Sequence, residues 1–256
     1  MSVRKVLKTI IPEPIKKVLR PIEGHFIHPT NNNPGSKYDY ELSFWKGRLE
    51  KEKGTFLNSH YKRVMLAMAE ESSDDFLQGK IVADFGCGPR GSLVWARSAL
   101  VRIGIDVLAD RYADEFTENI ISHGMIYLKS TEHVIPLPSN YIDVLYTLNA
   151  MDHVDNFSEM CKEIIRVLKS GGEFIGSFNL EEPASHTEPQ QLSEEKIKQN
   201  LLDSLELQSY RIASKGPVGN LYGHFYDGNS SYSPGQEGYL WVKARKPDFR
   251  VATGNG

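Results

Sequence analysis

The chain is poor in cysteine, in long apolar runs and in surplus charge of one sign. Cys87 and Cys161 are the only two cysteines in 256 residues, too few for a disulfide framework. A reduced, intracellular protein is the simplest expectation. No run reaches the roughly eighteen consecutive apolar residues read as a membrane span. The N-terminus lacks the apolar block and small-residue cleavage site of a signal peptide, so the expected location is cytoplasmic. The formal net charge is -3. The basic field that serves bulk nucleic-acid binding is therefore missing, and nucleic acid is not an expected partner. Histidines and carboxylates are scattered without metal-ligand spacing, and no metal is expected.

What is present is an ordinary globular composition, with 40% apolar residues. Its organisation is uneven. Through Ile22 the chain carries Arg4, Lys5, Lys8, Lys16, Lys17 and Arg20 against Glu13 alone. Val3, Leu7, Ile10 and Ile11 recur at helical spacing, and Ile15, Val18 and Leu19 do so again beyond Pro12 and Pro14. Two short amphipathic helices separated by a kink fit this pattern. They form either a weak peripheral membrane contact through residues 1–22 or a strap packed on the domain with its lysines in water. Residues 23–40 read as loop, and 41–71 as a helical brace containing Phe44, Trp45, Phe56, Tyr61, Val64, Met65 and Met68. The expected division is an N-terminal extension over 1–55, a main domain over 56–247 and a tail over 248–256.

The main domain alternates strands with helices. Strands are predicted over 80–85, 101–106, 125–129, 141–148 and 172–178, with helices from Ser92, from Arg111 to a stop at Gly124, and along Phe157, Met160, Cys161, Ile164, Ile165 and Leu168. The last of these is predicted to stop at the KSGG turn, with Gly171 or Gly172 in the left-handed cap position. A further helix starts at the cap Ser193, and LQSYRIAS and GYLWVKARK supply two final strands without a helix between them. The fold class is α/β: a Rossmann-like, seven-stranded, mostly parallel sheet with a closing antiparallel strand, helices on both faces and an N-terminal helical extension.

The stretch IVADFGCGPRG, 81–91, closes the first strand. Ligands of open parallel sheets bind beyond the carboxyl ends of strands. Gly86 and Gly88 permit a tight turn with bare backbone facing a ligand. Asp84 beside that turn would repel a pyrophosphate, which argues against a nicotinamide dinucleotide and for a cofactor bearing an ammonium group. Asp106 ends the second strand, where an acid commonly holds ribose hydroxyls. A ribose with an amino-acid tail describes S-adenosylmethionine.

These residues resemble the class I S-adenosylmethionine-dependent methyltransferases, in their small-molecule group. The resemblance runs from about residue 56 to 246 and is strongest over 80–178. ADFGCGPRG is similar to the family's first motif, an acid followed by G-x-G-x-G. Asp84, Gly86, Cys87 and Gly88 match it, whereas the third glycine falls at Arg90 and the chain has Gly91. IGID matches the second motif, with Asp106 as the implied ribose ligand. KSTEHVIPLP occupies the adenine region, where Thr131 stands in place of the acid and Glu132 follows. Either is a candidate. Asn149 to His153 is the segment where cofactor and acceptor usually meet in this family. The implied activity is methyl transfer from S-adenosylmethionine to an oxygen or nitrogen of a small or carrier-bound acceptor. The alternative is a non-catalytic cofactor-binding or interaction protein. His153 is the first base candidate and His224 the second, each against a purely structural role. The aromatic loop 220–232 either walls an acceptor pocket or covers the sheet edge. Arg90 either reaches an acid of the substrate or pairs with Asp110 or Glu115, and the second is the expectation. The acidic, proline-punctuated loop 179–195 reads as surface, with a second possible role in holding the acceptor.

Overall fold

The computed structural model describes residues 36–216, 220–228 and 231–248. The basic segment 1–22, with its two readings, lies outside the described residues. The first helix, α1 (Lys37–Lys51), starts at Ser36, whose side chain accepts from the Asp39 amide; Asp39 sits in its first turn, and Arg48 and Lys51 in its last. That charge order suits the helix dipole. Helix α2 (Ser59–Ala69) buries Tyr61, Val64, Met65 and Met68, the apolar positions expected of the brace.

The sheet is built from β1 (Ile81–Phe85), β2 (Val101–Asp106), β3 (Ile126–Lys129), β4 (Ile142–Leu148), β5 (Leu168–Leu180), β6 (Glu206–Ser214) and β7 (Gly238–Arg245). Between them lie α3 (Ala109–Glu115), α4 (Thr117–Ser122), α5 (Phe157–Val167), α6 (Glu194–Asn200) and the one-turn α7 (Gly223–Tyr226). The strand order is β3-β2-β1-β4-β5-β7-β6. The strands from β3 to β5 pair in parallel. β7 runs antiparallel to both β5 and β6. The expected seven-stranded architecture, with its closing antiparallel strand, is thus present.

Alternation along the strands splits the core in two. Ala83, Phe85, Leu145, Phe174 and Phe178 pack under α5 and α6, together with Met160, Cys161 and Ile164. Val82, Val144, Tyr146, Ile175 and Trp241 pack against α2 on the other face. A third, smaller cluster joins Leu42 and Phe56 to Tyr112 and Phe116. It fixes α1 to the β2–β3 end of the sheet.

Three local expectations differ. The segment from Ser92 is a series of turns and not a helix. Its side chains are anchored from outside: the Ser92 hydroxyl donates to Asp84, the Ser98 amide to Asp74, and Arg102 takes the Val94 carbonyl at 3.1 Å. These partners hold the backbone where helical propensity alone would have coiled it. The helix from Arg111 breaks at Phe116, which has φ -124° and is buried with its ring 5.3 Å from that of Phe56. Helix α5 ends at Val167, where Leu168 is already extended. Gly171, at φ +71°, takes the left-handed position inside the following strand segment rather than at the helix end.

Candidate functional site

The strand order reverses between β1 and β4. The carboxyl ends of both open into a cavity of about 560 Å³, where a doubly wound sheet binds its ligand. Its floor is the turn after β1. The Gly86 amide donates to the Ile105 carbonyl at 2.8 Å and its φ is +73°; a Cβ there would lie 2.1 Å from that of Ala150. Gly88, at φ +56°, lies so close to Trp45 that a Cβ would meet its ring at 2.9 Å. Both glycines are dictated by what packs on the turn as well as by its backbone.

Two carboxylates flank this turn. Asp84 is 2% exposed. One of its oxygens accepts from Ser92; the other, Oδ1, is buried without a partner. Burial pushes its carboxyl up to about 7, opposed by the Ser92 hydroxyl and assisted by the charge of Asp106. Asp106 is 8% exposed. Its Oδ2 accepts from the Gly88 amide at 3.0 Å and its Oδ1 from the Leu108 amide at 2.9 Å. Burial raises it to about 6, against the pull of those two amides. An orphaned carboxylate oxygen in a buried site favours a cationic donor. Asp106 keeps lone pairs for further donors on oxygens already fixed by backbone. Because residues 92–100 form turns, no helix N-terminus lies directly behind the glycine turn to attract a pyrophosphate. The donor set fits a cationic nucleoside such as S-adenosylmethionine.

The remaining sequence candidates divide. Cys87, Thr131, Glu132, Asn149 and His153 all line the cavity. The Cys87 sulfur packs against Gly104, 2.7 Å from where a Cβ would stand, and burial raises its thiol well above the usual range. Thr131 Oγ1 caps its own turn, accepting from the His133 and Val134 amides at 3.2 and 2.9 Å. Glu132 accepts from the Tyr38 hydroxyl at 2.5 Å and the Asp155 amide at 2.9 Å and pairs with Lys37 at 3.1 Å. Burial alone would raise its carboxyl, but those three donors hold it below its usual value. Asn149 sits at φ +47°. Its amide side chain is pinned by the Ser177 hydroxyl and the Tyr222 hydroxyl, each at 2.6 Å. His153 is half-exposed, with Nε2 3.7 Å from Glu188 Oε1.

His224 sits on α7 and is not among the cavity-lining residues. Its aromatic neighbours cover the sheet: Phe225 stacks on Trp241 at 4.1 Å, and Tyr222 and Tyr226 pack on the same ring. Arg90 pairs with Glu52 at 2.7 Å. Asp110 and Glu115, its expected partners, are taken by Lys129 and Lys46.

The roof is α1. Lys37 donates to the His153 carbonyl at 3.0 Å and to Asp155 at 2.6 Å. Farther along, Arg111 holds Asp39 at 2.8 Å. Tyr40 and Phe44, both more than half exposed, and Trp45 stand at the mouth. Two further lining residues, Ser130 and Glu188, were not among the candidates named from the sequence. Ser130, 2% exposed, reaches the cavity because its amide continues the pairing with the Asp106 carbonyl. Glu188 comes from the loop 179–195, read as surface with a second possible role in holding the acceptor.

A doubly wound sheet with an antiparallel β7, a glycine turn after β1 and a carboxylate ending β2 defines a class I methyltransferase fold. Residues 83–176 match the methyltransferase domain family, a match that runs from β1 into β5, and the site's residues fit S-adenosylmethionine as cofactor. Sterol 24-C-methyltransferase erg6 of Aspergillus fumigatus is 32% identical over 106 residues, which are 38% of this chain and 27% of that protein. Among solved structures, the [4+2]-cyclase SpnF is similar at a TM-score of 0.53 and 21% identity, covering 73% of this chain and 82% of that one. An S-adenosylmethionine-dependent methyltransferase from Mesorhizobium loti is similar at 0.51 and 14% identity, covering 70% and 95%. At these identities the structural likeness speaks to fold. No helix among the described residues is long and apolar enough to cross a membrane.

Proposed function

We propose that the chain transfers the methyl group of S-adenosylmethionine to an oxygen or nitrogen of a small or carrier-bound acceptor. The observation that carries this reading is the pair of buried carboxylates, one with an orphaned oxygen, at neighbouring strand ends. Asp84 Oδ1 receives the ammonium of the amino-acid tail. Asp106 takes the ribose hydroxyls, and the backbone at Gly86, Cys87 and Gly88 runs beneath them. Glu132 is already engaged by three donors, so the adenine edge falls to Ser130 and Thr131. Asn149 contributes its strained backbone, since its side chain is spent on Ser177 and Tyr222.

When bound, the cofactor supplies a methyl group on a cationic sulfur, whose departure leaves a neutral thioether. The protein's work is alignment and exclusion of water. Helix α1, with Tyr40, Phe44 and Trp45, closes the mouth. His153 accepts a proton from a hydroxyl or ammonium acceptor at its Nε2, where Glu188 stabilises the imidazolium. The division into an extension over 1–55 and a domain over 56–247 belongs to this reading, with α1 as the extension's contribution to the site.

Calorimetry with S-adenosylmethionine and, separately, NAD tests the first half. Saturable binding of the former alone is expected; binding of NAD alone would overturn the reading. Labelled cofactor added to a host extract, with mass spectrometry of labelled products, tests the second half. Tight binding with no labelled product in any extract would favour a binding role without transfer.

A further inference from the structure

We propose that Asp152, Glu182 and Glu188 form a binding site for one hard divalent cation, of the Mg2+, Mn2+ or Ca2+ class, beside the cavity. The proposal does not depend on methyl transfer. The loop after β4 and the loop after β5 bring the three carboxylates together, with one oxygen of each within 4.8 Å of the others. Oxygens bound to one such cation stand at most about 5 Å apart.

The second observation is independent of that spacing. Asp152 is 3% exposed, and its Oδ1 is buried without any partner. Its Oδ2 accepts from Asn179 Nδ2 at 2.7 Å, which leaves Asn179 Oδ1 buried and unpartnered as well. Two acceptors without donors therefore lie where two further carboxylates converge. Such a cluster is costly unless a cation satisfies it.

Local charge points the same way. Lys215 pairs with Glu182 at 2.5 Å but is shared with Glu237 at 2.6 Å. His153 stands 3.7 Å from Glu188. Of the four carboxylates, Asp152, Glu182, Glu188 and Glu237, the ammonium of Lys215 reaches Glu182 and Glu237, and a protonated imidazole at Glu188 would still leave a negative surplus. All-oxygen ligands select hard cations over zinc or copper. Glu188 also lines the cavity, so a cation here would stand at the wall where an oxygen-bearing acceptor enters.

The test uses the full chain, stripped with EDTA and exchanged into chelator-free buffer, and titrated calorimetrically with MgCl2, MnCl2 and CaCl2. One equivalent of at least one cation should bind with a dissociation constant below about 1 mM. Asp152→Asn and Glu188→Gln should each weaken binding at least about tenfold. Lys215→Ala, which removes the competing ammonium, should tighten it. Melting curves with and without the cation provide a second readout, in which the wild type gains stability and the two acid variants do not. No saturable binding of any of the three cations up to about 10 mM, well beyond the weakest biological calcium sites, would overturn the proposal. So would undiminished affinity in both acid variants, or weaker binding in Lys215→Ala.

Discussion

Replacing Asp84 by Asn should separate cofactor affinity from stability, moving the two in opposite directions. In the free protein the carboxyl is buried with one oxygen unpartnered and its pKa is pushed up to about 7 by that burial. Its value in the unfolded chain is 3.8. The folded state therefore holds its proton longer than the unfolded state does. The contribution of this one group to stability is greatest at or below about pH 4 and falls as pH rises through the window from about 4 to about 7. Three units of displacement correspond to about 4 kcal/mol at most above pH 7. Asn carries no charge, so Asp84→Asn should melt higher than the wild type at pH 8 and lose most of that advantage at pH 5.

Binding follows the opposite logic. The ammonium of S-adenosylmethionine is recognised by the ionised carboxylate. At pH 5.5, about 1.5 units below its pKa, roughly one Asp84 in thirty is ionised, so wild-type affinity should drop about 30-fold from its value at pH 8.5. Asp106, raised to about 6, steepens the acid limb further. A charge-assisted hydrogen bond is worth about 1.5–3 kcal/mol. Asp84→Asn should then weaken binding about 10- to 150-fold at pH 8.5 and remove most of the pH dependence. Calorimetry at pH 5.5, 7 and 8.5, with melting curves on the same samples, reads both effects. A wild-type affinity flat across that range, or a variant that binds as tightly as the wild type, would refute the reasoning. A variant that melts lower at pH 8 would refute the stability half alone.

Gly86→Ala places a methyl 2.1 Å from Ala150 Cβ at a φ of +73°; the turn must shift, and a loss of about 2–4 kcal/mol in denaturant unfolding is expected. Lys37→Ala removes the donor joining α1 to the His153 carbonyl and Asp155. Stopped-flow release of S-adenosylmethionine should accelerate several-fold, and the melting temperature should fall as well, because Lys37 is only 14% exposed and its loss leaves the half-buried Glu132 without its cation. His153→Ala should slow single-turnover transfer about 100-fold, within the usual range for a general base, and leave cofactor affinity nearly intact; unchanged transfer would end that assignment.

The sheet was legible because its strands are short apolar runs bounded by turns, and because burial on both faces leaves them little choice of structure. Asp84, Gly86, Gly88 and Asp106 were legible for a related reason. Strand ends are placed by topology, so an acid at the end of β1 and another at the end of β2 must meet across one turn. What stayed hidden depends on partners distant in sequence. Ser92 reads as a helix start until its hydroxyl is seen on Asp84. Arg90 has two acids downstream in sequence, yet pairs with Glu52, the residue that caps the end of α1. Glu188 reads as one acid in a solvated loop, but the pairing of the Gln190 amide with the Asp152 carbonyl at 3.1 Å folds that loop back over the end of β4. His153 thereby gains a carboxylate neighbour, and Asp152 gains two. Local patterns fix which elements form and which ends they present. Loop-to-loop hydrogen bonds decide which charges share a cavity, and they leave no period in the sequence to read. The same hydrogen bond therefore underlies both the His153–Glu188 pairing and the proposed cation site, and a shift in that loop would disturb both together.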